Sequence, residues 1–286
     1  MPTGVLGEGT DGLRTSANFV RSSVLPYLRV QPVGFRNAVR LWAGYGASLR
    51  TIATVHRHRA VGERIPGRSP VTVSVLGVKF QVRPGTNDLD LLVHHEPETL
   101  AWFRVHPGDV VVDVGAHIGR YTVLGARLGG DVVSIEPDPA NFEMLAANVR
   151  LNRLSNVHLE RVAVSDANGV RRFLPSTGSN RGTSALASKS GSCSLQEGVL
   201  VECRCLDDIV ECHGLSRIDW LKIDVEGHEV EALRGASRCL SITRWLSLEV
   251  TAESEEACRS ITDRAGFRIE AEERGDPASN LLMRRA

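Results

Sequence analysis

The chain of 286 residues lacks both a long hydrophobic run and a net charge. No stretch without Asp, Glu, Lys or Arg exceeds ten residues, whereas a membrane-spanning helix needs about 20 apolar residues. The first 16 residues, MPTGVLGEGTDGLRTS, contain no apolar signal-peptide core. Basic and acidic residues both number 34, which argues against a protein whose whole surface binds nucleic acid. We therefore expect a soluble, cytoplasmic protein without a nucleic-acid partner.

Cysteine motifs typical of a zinc site are also missing. The six cysteines include no CxxC pair, and the closest two are Cys203 and Cys205. A zinc site would need a second matching pair or histidines at metal-ligand spacing. The spacing therefore favours reduced and partly buried thiols.

The neutral total conceals an uneven distribution of charge. Residues 1–68 contain ten arginines and three acidic residues, a net charge of +7, which leaves −7 for the rest of the chain. Apolar residues recur at helical spacing between the arginines, and Pro26 and Pro32 interrupt the pattern. We expect a disordered tail over 1–17 and a basic helical arm over 18–68.

Two interpretations of this arm remain open. The arm either packs on the body of the protein or on a second subunit, or forms a basic amphipathic surface that contacts anionic lipid or an acidic substrate. The first is favoured, because charged helix faces are usually only solvated. A homo-oligomer and peripheral membrane contact are the corresponding expectations.

Residues 69–286 read as one α/β domain. Val71–Val75 and Val78–Val82 alternate as a β-hairpin. From Val110–Val114, a continuous apolar run typical of a strand buried on both faces, strands and helices alternate to the C-terminus. This alternation predicts a mainly parallel sheet. An irregular insertion rich in Gly, Ser and Asn is expected at about 166–205, either a lid over the acceptor or an unstructured surface loop.

The first strand of the alternation leads into a glycine loop. Asp113, Gly115, His117 and Gly119 lie within seven residues, directly before a predicted helix. Glycines let the backbone approach a ligand closely, and a helix N-terminus offers unpaired N–H groups. The next strand ends at Glu136, 21 residues after Gly115, where a carboxylate can bind two ribose hydroxyls.

Two cofactors compete for this loop. The dinucleotide fingerprint G-x-G-x-x-G uses its middle glycine to make room for a pyrophosphate. Here no glycine lies between Gly115 and Gly119, and His117 occupies the third position of the loop. A cofactor without phosphates fits better, and S-adenosylmethionine (SAM) is favoured because its ammonium group suits the acidic Asp113. An NAD-dependent oxidoreductase remains the alternative.

A second cluster of chemistry-bearing residues follows the fourth predicted strand of this alternation. Asp224, Glu226 and His228 lie at its C-terminal end, where a parallel sheet presents its ligands. A carboxylate or imidazole there can take the proton of a hydroxyl acceptor, or carboxylates can bind a divalent metal that acidifies the hydroxyl. Glu249, near the end of the next strand, is a further candidate base or metal ligand. In the alternative interpretation, Glu226 and Glu229 only charge the first turn of a helix.

Four sequence segments that include these motifs follow one another over about residues 95–250. They are the segments HEPETLAWFRVHPGDVVVDVGAHIGRYTVLGARLGGDVVSIEPDPANFEMLAANVRLN, VHLERVAVSDANG, CRCLDDIV and IDWLKIDVEGHEVEALRGA. This stretch resembles the FkbM-type methyltransferase family. The resemblance implies a class I, Rossmann-like methyltransferase sheet of seven strands with the last one antiparallel. It implies SAM as methyl donor and, usually, O-methylation of sugar or polyketide hydroxyls.

The resemblance also implies which residues bind the methionine end, the ribose and the adenine of the cofactor, in that order: Asp113, Gly115, His117 and Gly119; Glu136; Ser165 and Asp166. The predicted function is a SAM-dependent O-methyltransferase acting on a hydroxyl of a sugar, glycolipid or polyketide-type natural product. The alternatives are the NAD-dependent oxidoreductase and a non-catalytic SAM-binding protein. A divalent metal is compatible with the acidic motif, but the sequence does not require one.

Overall fold

The residues that the computed structural model describes are 30–55, 61–93, 96–176, 178–179, 185–186, 198–275 and 277–286. Their contacts divide the chain into two units, Met1–Gly85 with Leu89–His95, and Thr86–Asp88 with Glu96–Ala286. The predicted tail at 1–17 lies outside the described residues. The domain boundary near residue 69 stays a prediction.

In the smaller unit, strands β1 (Gln31–Pro32), β2 (Val71–Val75) and β3 (Val78–Val82) form an antiparallel sheet. The hairpin β2–β3 has the predicted bounds, and its valines at alternate positions are buried. The third strand was not predicted, since it holds Pro32, which a sheet tolerates at its edge. Because β1 pairs with β2, the contacts group the hairpin with the helical arm, whereas the sequence prediction assigned it to the following domain.

The arm itself contains the helix α1 (Phe35–Val55). Leu41 and Tyr45 are buried, whereas Phe35, Val39 and Trp42 are 83%, 53% and 57% exposed. These three residues lie one or two turns apart and so form an exposed apolar stripe. No described helix is both long enough and apolar enough to cross a membrane.

The remaining strands and helices follow in chain order. The strands are β4 (Val110–Val114), β5 (Asp131–Ile135), β6 (Val157–Glu160), β7 (Ala163–Val164), β8 (Gly169–Leu174), β9 (Ala185–Leu186), β10 (Val199–Arg204), β11 (Ile218–Ile223), β12 (Thr243–Thr251), β13 (Phe267–Glu273) and β14 (Ala278–Arg285). The helices are α2 (Asp88–Val93), α3 (Pro97–Trp102), α4 (Arg120–Arg127), α5 (Pro139–Leu151), α6 (Leu206–Cys212), α7 (Glu229–Arg234), α8 (Ser237–Ser241) and α9 (Glu255–Arg264).

Seven of these strands form the main sheet of the larger unit, in the order β6-β5-β4-β11-β12-β14-β13. Strand β14 runs antiparallel to both of its neighbours, and the other pairs are parallel. The core strands are apolar on both faces, as burial beneath helices on each side requires. The predicted α/β fold with seven strands and an antiparallel last strand is confirmed. This order places the C-terminal ends of β4, β5, β11 and β12 at one edge.

The insertion at 166–205 is more regular than the sequence suggested. Strands β8 and β10 pair antiparallel and, together with β7 and β9, form a second sheet of four strands. Phe173, Val201 and Cys203 are buried in this sheet, whereas Val170, Val199 and Leu200 are exposed. The Gly- and Ser-rich loop beside these strands dominated the sequence signal. Most of that loop lies outside the described residues, so the lid remains a prediction.

Candidate active site

The loop after β4 contains three residues with left-handed backbone. Gly115, His117 and Gly119 have φ angles of 81°, 52° and 92°. The amides of Gly115 and Ala116 both donate to the carbonyl of Ile135, at 2.9 and 3.0 Å, which fixes the loop to the end of β5. A Cβ atom at Gly115 would lie 1.7 Å from the carbonyl oxygen of Asp224. Only glycine allows this approach of the loop to the end of β11.

Gly119 serves the packing of helices. It precedes α4, and a Cβ atom there would lie 2.6 Å from Cδ1 of Leu145 on α5. The side chain of Asn148, also on α5, donates to the carbonyl of Ile118 at 2.9 Å. The glycine therefore lets α5 approach the loop closely, and its predicted contact with a cofactor stays a prediction.

Glu136 lies directly beneath the glycine loop and is 4% exposed. Its Oε2 accepts from the amide of His117 at 2.7 Å, and its Oε1 accepts from the amide of Asp138 at 2.8 Å. Burial raises the pKa of Glu136 to about 7, although these backbone donors act in the opposite direction. The side chain of Asn141 also donates to this carboxylate. The two oxygens offer about four acceptor sites in all, so the carboxylate can still accept from a ribose hydroxyl.

His117 contributes its backbone to this arrangement. Its amide holds Glu136, whereas its ring nitrogen Nε2 lies 3.9 Å from Oδ1 of the buried Asp88. The positive φ of His117 turns the amide toward the carboxylate. The backbone of His117 therefore orients Glu136, and its imidazole lies near the carboxylate of Asp88.

Three other predicted residues lie together on one side of the site. The hydroxyl of Ser165 lies 3.0 Å from Nε2 of His228 and 3.1 Å from Oδ1 of Asp166. Arg171 donates to the same Asp166 oxygen at 2.7 Å. The other ring nitrogen of His228 lies 3.6 Å from a carboxylate oxygen of Glu231. His228, predicted as catalytic, therefore lies beside the two residues predicted near the adenine.

An acidic cluster lies at the edge formed by β11 and β12. Asp224 follows β11, Glu249 lies on β12, and Glu96 precedes α3. One carboxylate oxygen from each lies within 4.8 Å of the other two. Lys222, which is 4% exposed, donates to Oδ2 of Asp224 at 2.7 Å. Lys222 is also the register partner of Asp113 on the neighbouring strand β4.

Glu96 was not predicted as a site residue. Its Oε2 accepts from the hydroxyl of Tyr121 at 3.0 Å, and its Oε1 accepts from the side-chain amide of Asn280 at 2.9 Å. It is 7% exposed and has a φ of 48° directly before Pro97, the first residue of α3. The sequence contains no local signal that joins it to Asp224, because the two residues are 128 positions apart.

The electrostatics of this edge are dominated by negative charge. Burial raises the pKa of Glu249 to about 10, and the neighbouring Asp224 adds to this effect. Desolvation and the charges of Asp224 and Glu229 also raise the pKa of Glu226, a residue of the exposed loop after β11. Burial disfavours the ammonium group of Lys222, but the surrounding carboxylates raise its pKa well above the usual value. The edge can therefore accept a proton or a cation.

Asp113 lies deeper in the larger unit than the loop that it precedes. It is 1% exposed, its Oδ2 accepts from the hydroxyl of Thr122 at 2.5 Å, and burial raises its pKa. The hydroxyl of Thr122 also lies 2.6 Å from that of Ser134 on β5. These contacts tie β4, α4 and β5 together beneath the loop.

These residues fit an adenosyl cofactor with a ribose and a cationic sulfonium. The glycine loop approaches the end of β11, Glu136 offers acceptor oxygens at the end of β5, and the facing edge is acidic. This combination on a seven-stranded sheet defines a class I SAM-dependent methyltransferase domain. The chain belongs to the FkbM methyltransferase family: the profile described as "Methyltransferase FkbM domain" matches residues 113–269, more than half of the chain. This membership favours the methyltransferase over the NAD-dependent alternative.

Three characterised proteins are similar to parts of this chain. The hexuronic acid methyltransferase AglP of Haloferax volcanii is 27% identical over 144 residues, which are 50% of this chain and 56% of that protein. The 31-O-demethyl-FK506 methyltransferase FkbM of Streptomyces tacrolimicus is 31% identical over 160 residues, 46% and 61% of the two chains. The 2-O-methyltransferase NoeI of Sinorhizobium fredii is 32% identical over 160 residues, and the match covers 50% of this chain and 63% of that protein. This chain thus spans less than two thirds of the length of each relative.

Proposed function

We propose that this protein transfers the methyl group of SAM to a hydroxyl oxygen of a sugar, glycolipid or polyketide-type natural product. Two similar proteins are named as O-methyltransferases or as acting on an O-demethyl substrate, and a third is named for a hexuronic acid. All these names agree with a hydroxylated acceptor. They support the class of reaction and do not identify the acceptor.

The observation that carries this proposal is the close approach of Gly115 to Asp224. Because the missing Cβ atom of Gly115 would lie 1.7 Å from the carbonyl of Asp224, the cofactor loop and the acidic edge are in direct contact. A methyl group bound above the loop would therefore lie near the carboxylates of this edge. Methyl transfer from a sulfonium is an in-line displacement, so alignment of the acceptor supplies much of the rate.

When bound, SAM supplies an electrophilic methyl group on a positively charged sulfur. Glu136 would orient the cofactor by accepting a hydrogen bond from the ribose, and Gly115, which has no side chain, would leave room for it beside the backbone. As the acceptor oxygen bonds to the methyl carbon and the carbon–sulfur bond breaks, the hydroxyl proton must leave. A carboxylate in hydrogen-bonding reach takes this proton, and S-adenosylhomocysteine and the methyl ether are the products.

Asp224 and Glu226 are the proposed acceptors of this proton. Lys222 donates to Oδ2 of Asp224, which holds that carboxylate in place. Burial and the neighbouring carboxylates raise the pKa of Glu226 to about 8, near the operating pH at which a general base is most effective. His228 lies between Ser165 and Glu231 and is proposed to position the adenine side of the site.

The test combines binding and turnover. Isothermal titration should show SAM binding and no NAD binding, and incubation with methyl-labelled SAM and a lipid and polysaccharide extract of the source organism should label a product, identified by mass. Glu226→Gln should lower turnover by about 10²–10⁴-fold, whereas Glu256→Gln, an exposed residue of α9, should not. SAM binding without any labelled product would favour the non-catalytic alternative, and NAD binding without SAM binding would refute the proposal.

A further inference from the structure

We propose that Glu96, Asp224, Glu249 and Asn280 form a binding site for one divalent cation with oxygen ligands, such as Mg²⁺, Mn²⁺ or Ca²⁺. This inference deepens the proposed function, because a cation at this edge would bind and acidify the acceptor hydroxyl beside the carboxylates. The four residues come from four chain segments: the residue before α3, the end of β11, β12 and β14.

The distances within the cluster suit a single ion. One oxygen from each of the three carboxylates lies within 4.8 Å of the others. Two ligands on opposite sides of an ion are separated by twice the metal–oxygen distance, about 4.2 Å for Mg²⁺ and roughly 4.6–5.2 Å for Ca²⁺. Ligands at right angles are closer. One ion can therefore contact all three carboxylates with only small side-chain movements.

Asn280 provides the independent observation. It is 5% exposed, and its side-chain nitrogen donates to Oε1 of Glu96 at 2.9 Å. It is also the register partner of Glu249 across the β12–β14 ladder. Its amide oxygen is buried and has no hydrogen-bond partner among the described residues. A buried carbonyl without a partner costs about 1–3 kcal/mol, and binding a hard cation would satisfy it.

The charges around the cluster leave room for a cation. Lys222 donates to Oδ2 of Asp224, so the other oxygen of that carboxylate remains for a metal. Glu96 accepts hydrogen bonds from the neutral groups of Tyr121 and Asn280. Within the described part of the chain, Lys222 is the ammonium group that contacts this cluster. The competing arrangement without a metal is a proton shared between Asp224 and Glu249, and the experiment below separates the two.

The experiment measures Mn²⁺ binding to the full chain after treatment with EDTA, by isothermal titration and by the electron paramagnetic resonance of free Mn²⁺. We expect one bound Mn²⁺ per chain. Glu96→Gln and Glu249→Gln should each weaken binding at least tenfold. Glu98→Gln, an exposed residue of α3 two positions from Glu96, should bind as the wild type does. Asn280→Asp, which adds a charged ligand, should tighten binding severalfold.

Several outcomes would overturn this site. They are absence of Mn²⁺ binding to the wild type, equal binding by Glu249→Gln and wild type, and weaker binding by Asn280→Asp. Thermal unfolding of each variant identifies loss of structure, and Asn280→Asp tests the site even where Glu96→Gln fails to fold. SAM affinity is measured in the same samples. Methyl transfer that proceeds without Mn²⁺ binding would remove the metal site and leave the proposed function intact.

Discussion

The close approach of the cofactor loop to β11 leads to a prediction for Gly115→Ala. A Cβ atom at this position would lie 1.7 Å from the carbonyl oxygen of Asp224 and 2.8 Å from its carbonyl carbon. Cβ atoms essentially never approach such atoms within 3.0 Å. One of the two backbones must therefore move by about 1.3 Å, which close-packed strands do not accommodate without breaking contacts.

The loss in the free energy of unfolding can be estimated from the φ angle of Gly115 and from the hydrogen bonds that the displacement would break. A φ of 81° in a residue with a Cβ atom costs about 1–2 kcal/mol. The displacement also threatens the bond from the amide of Asp224 to Val114, at 3.0 Å, and that from Gly115 to Ile135, at 2.9 Å. Each buried bond lost costs about 1–3 kcal/mol. Gly115→Ala should therefore lower the free energy of unfolding by roughly 3–8 kcal/mol and abolish SAM binding.

The assay is urea unfolding together with isothermal titration of SAM. Gly214→Ala and Gly227→Ala are the matched controls, because these glycines have φ angles of 64° and 90° and no atom within 4 Å of a built Cβ. Each control should cost only about 1–2 kcal/mol, and Gly214→Ala should bind SAM normally. If Gly115→Ala bound SAM as the wild type does and unfolded like Gly214→Ala, the proposed contact between the loop and β11 would be refuted.

Three further predictions concern buried carboxyl groups. Glu136→Gln should weaken SAM binding by about 1.5–3 kcal/mol, because a charged acceptor for the ribose is lost; titration checks this, with the exposed Glu143→Gln as control, and equal affinities would contradict it. Burial raises the pKa of Asp90 from 3.8 to about 7, so the folded state holds the proton more tightly and wild-type stability falls as pH rises through this window. Asp90→Asn should then gain up to about 2.5 kcal/mol relative to wild type between pH 5 and pH 8 in urea unfolding, and a constant difference would refute this assignment. Asp138→Ala removes the side chain that accepts from two amides at the start of α5 and should cost about 1 kcal/mol, which thermal unfolding measures against Glu143→Gln.

Local patterns made much of the fold predictable. The helix α5 spans Pro139–Leu151 and the strand β11 spans Ile218–Ile223, and both belong to the alternation of strands and helices that the sequence predicted. Hydrophobic periodicity and helix-capping residues are signals within a short segment, so they can be read without knowing which other segments pack against it. The insertion was the exception. Its strands bury few apolar residues, and pairing with each other stabilises them more than their own propensity does.

The sequence by itself determined the chain order of the strands in the main sheet, the glycine loop after β4 and the position of Glu136 at the end of β5. These features depend on residues close together in the chain. Only the tertiary structure decided that Glu96 and Asn280 join Asp224 and Glu249, and that His228 lies beside Ser165. The parallel sheet and its antiparallel last strand bring these residues together, and no local spacing in the sequence encodes the meeting of side chains that lie on different strands and loops.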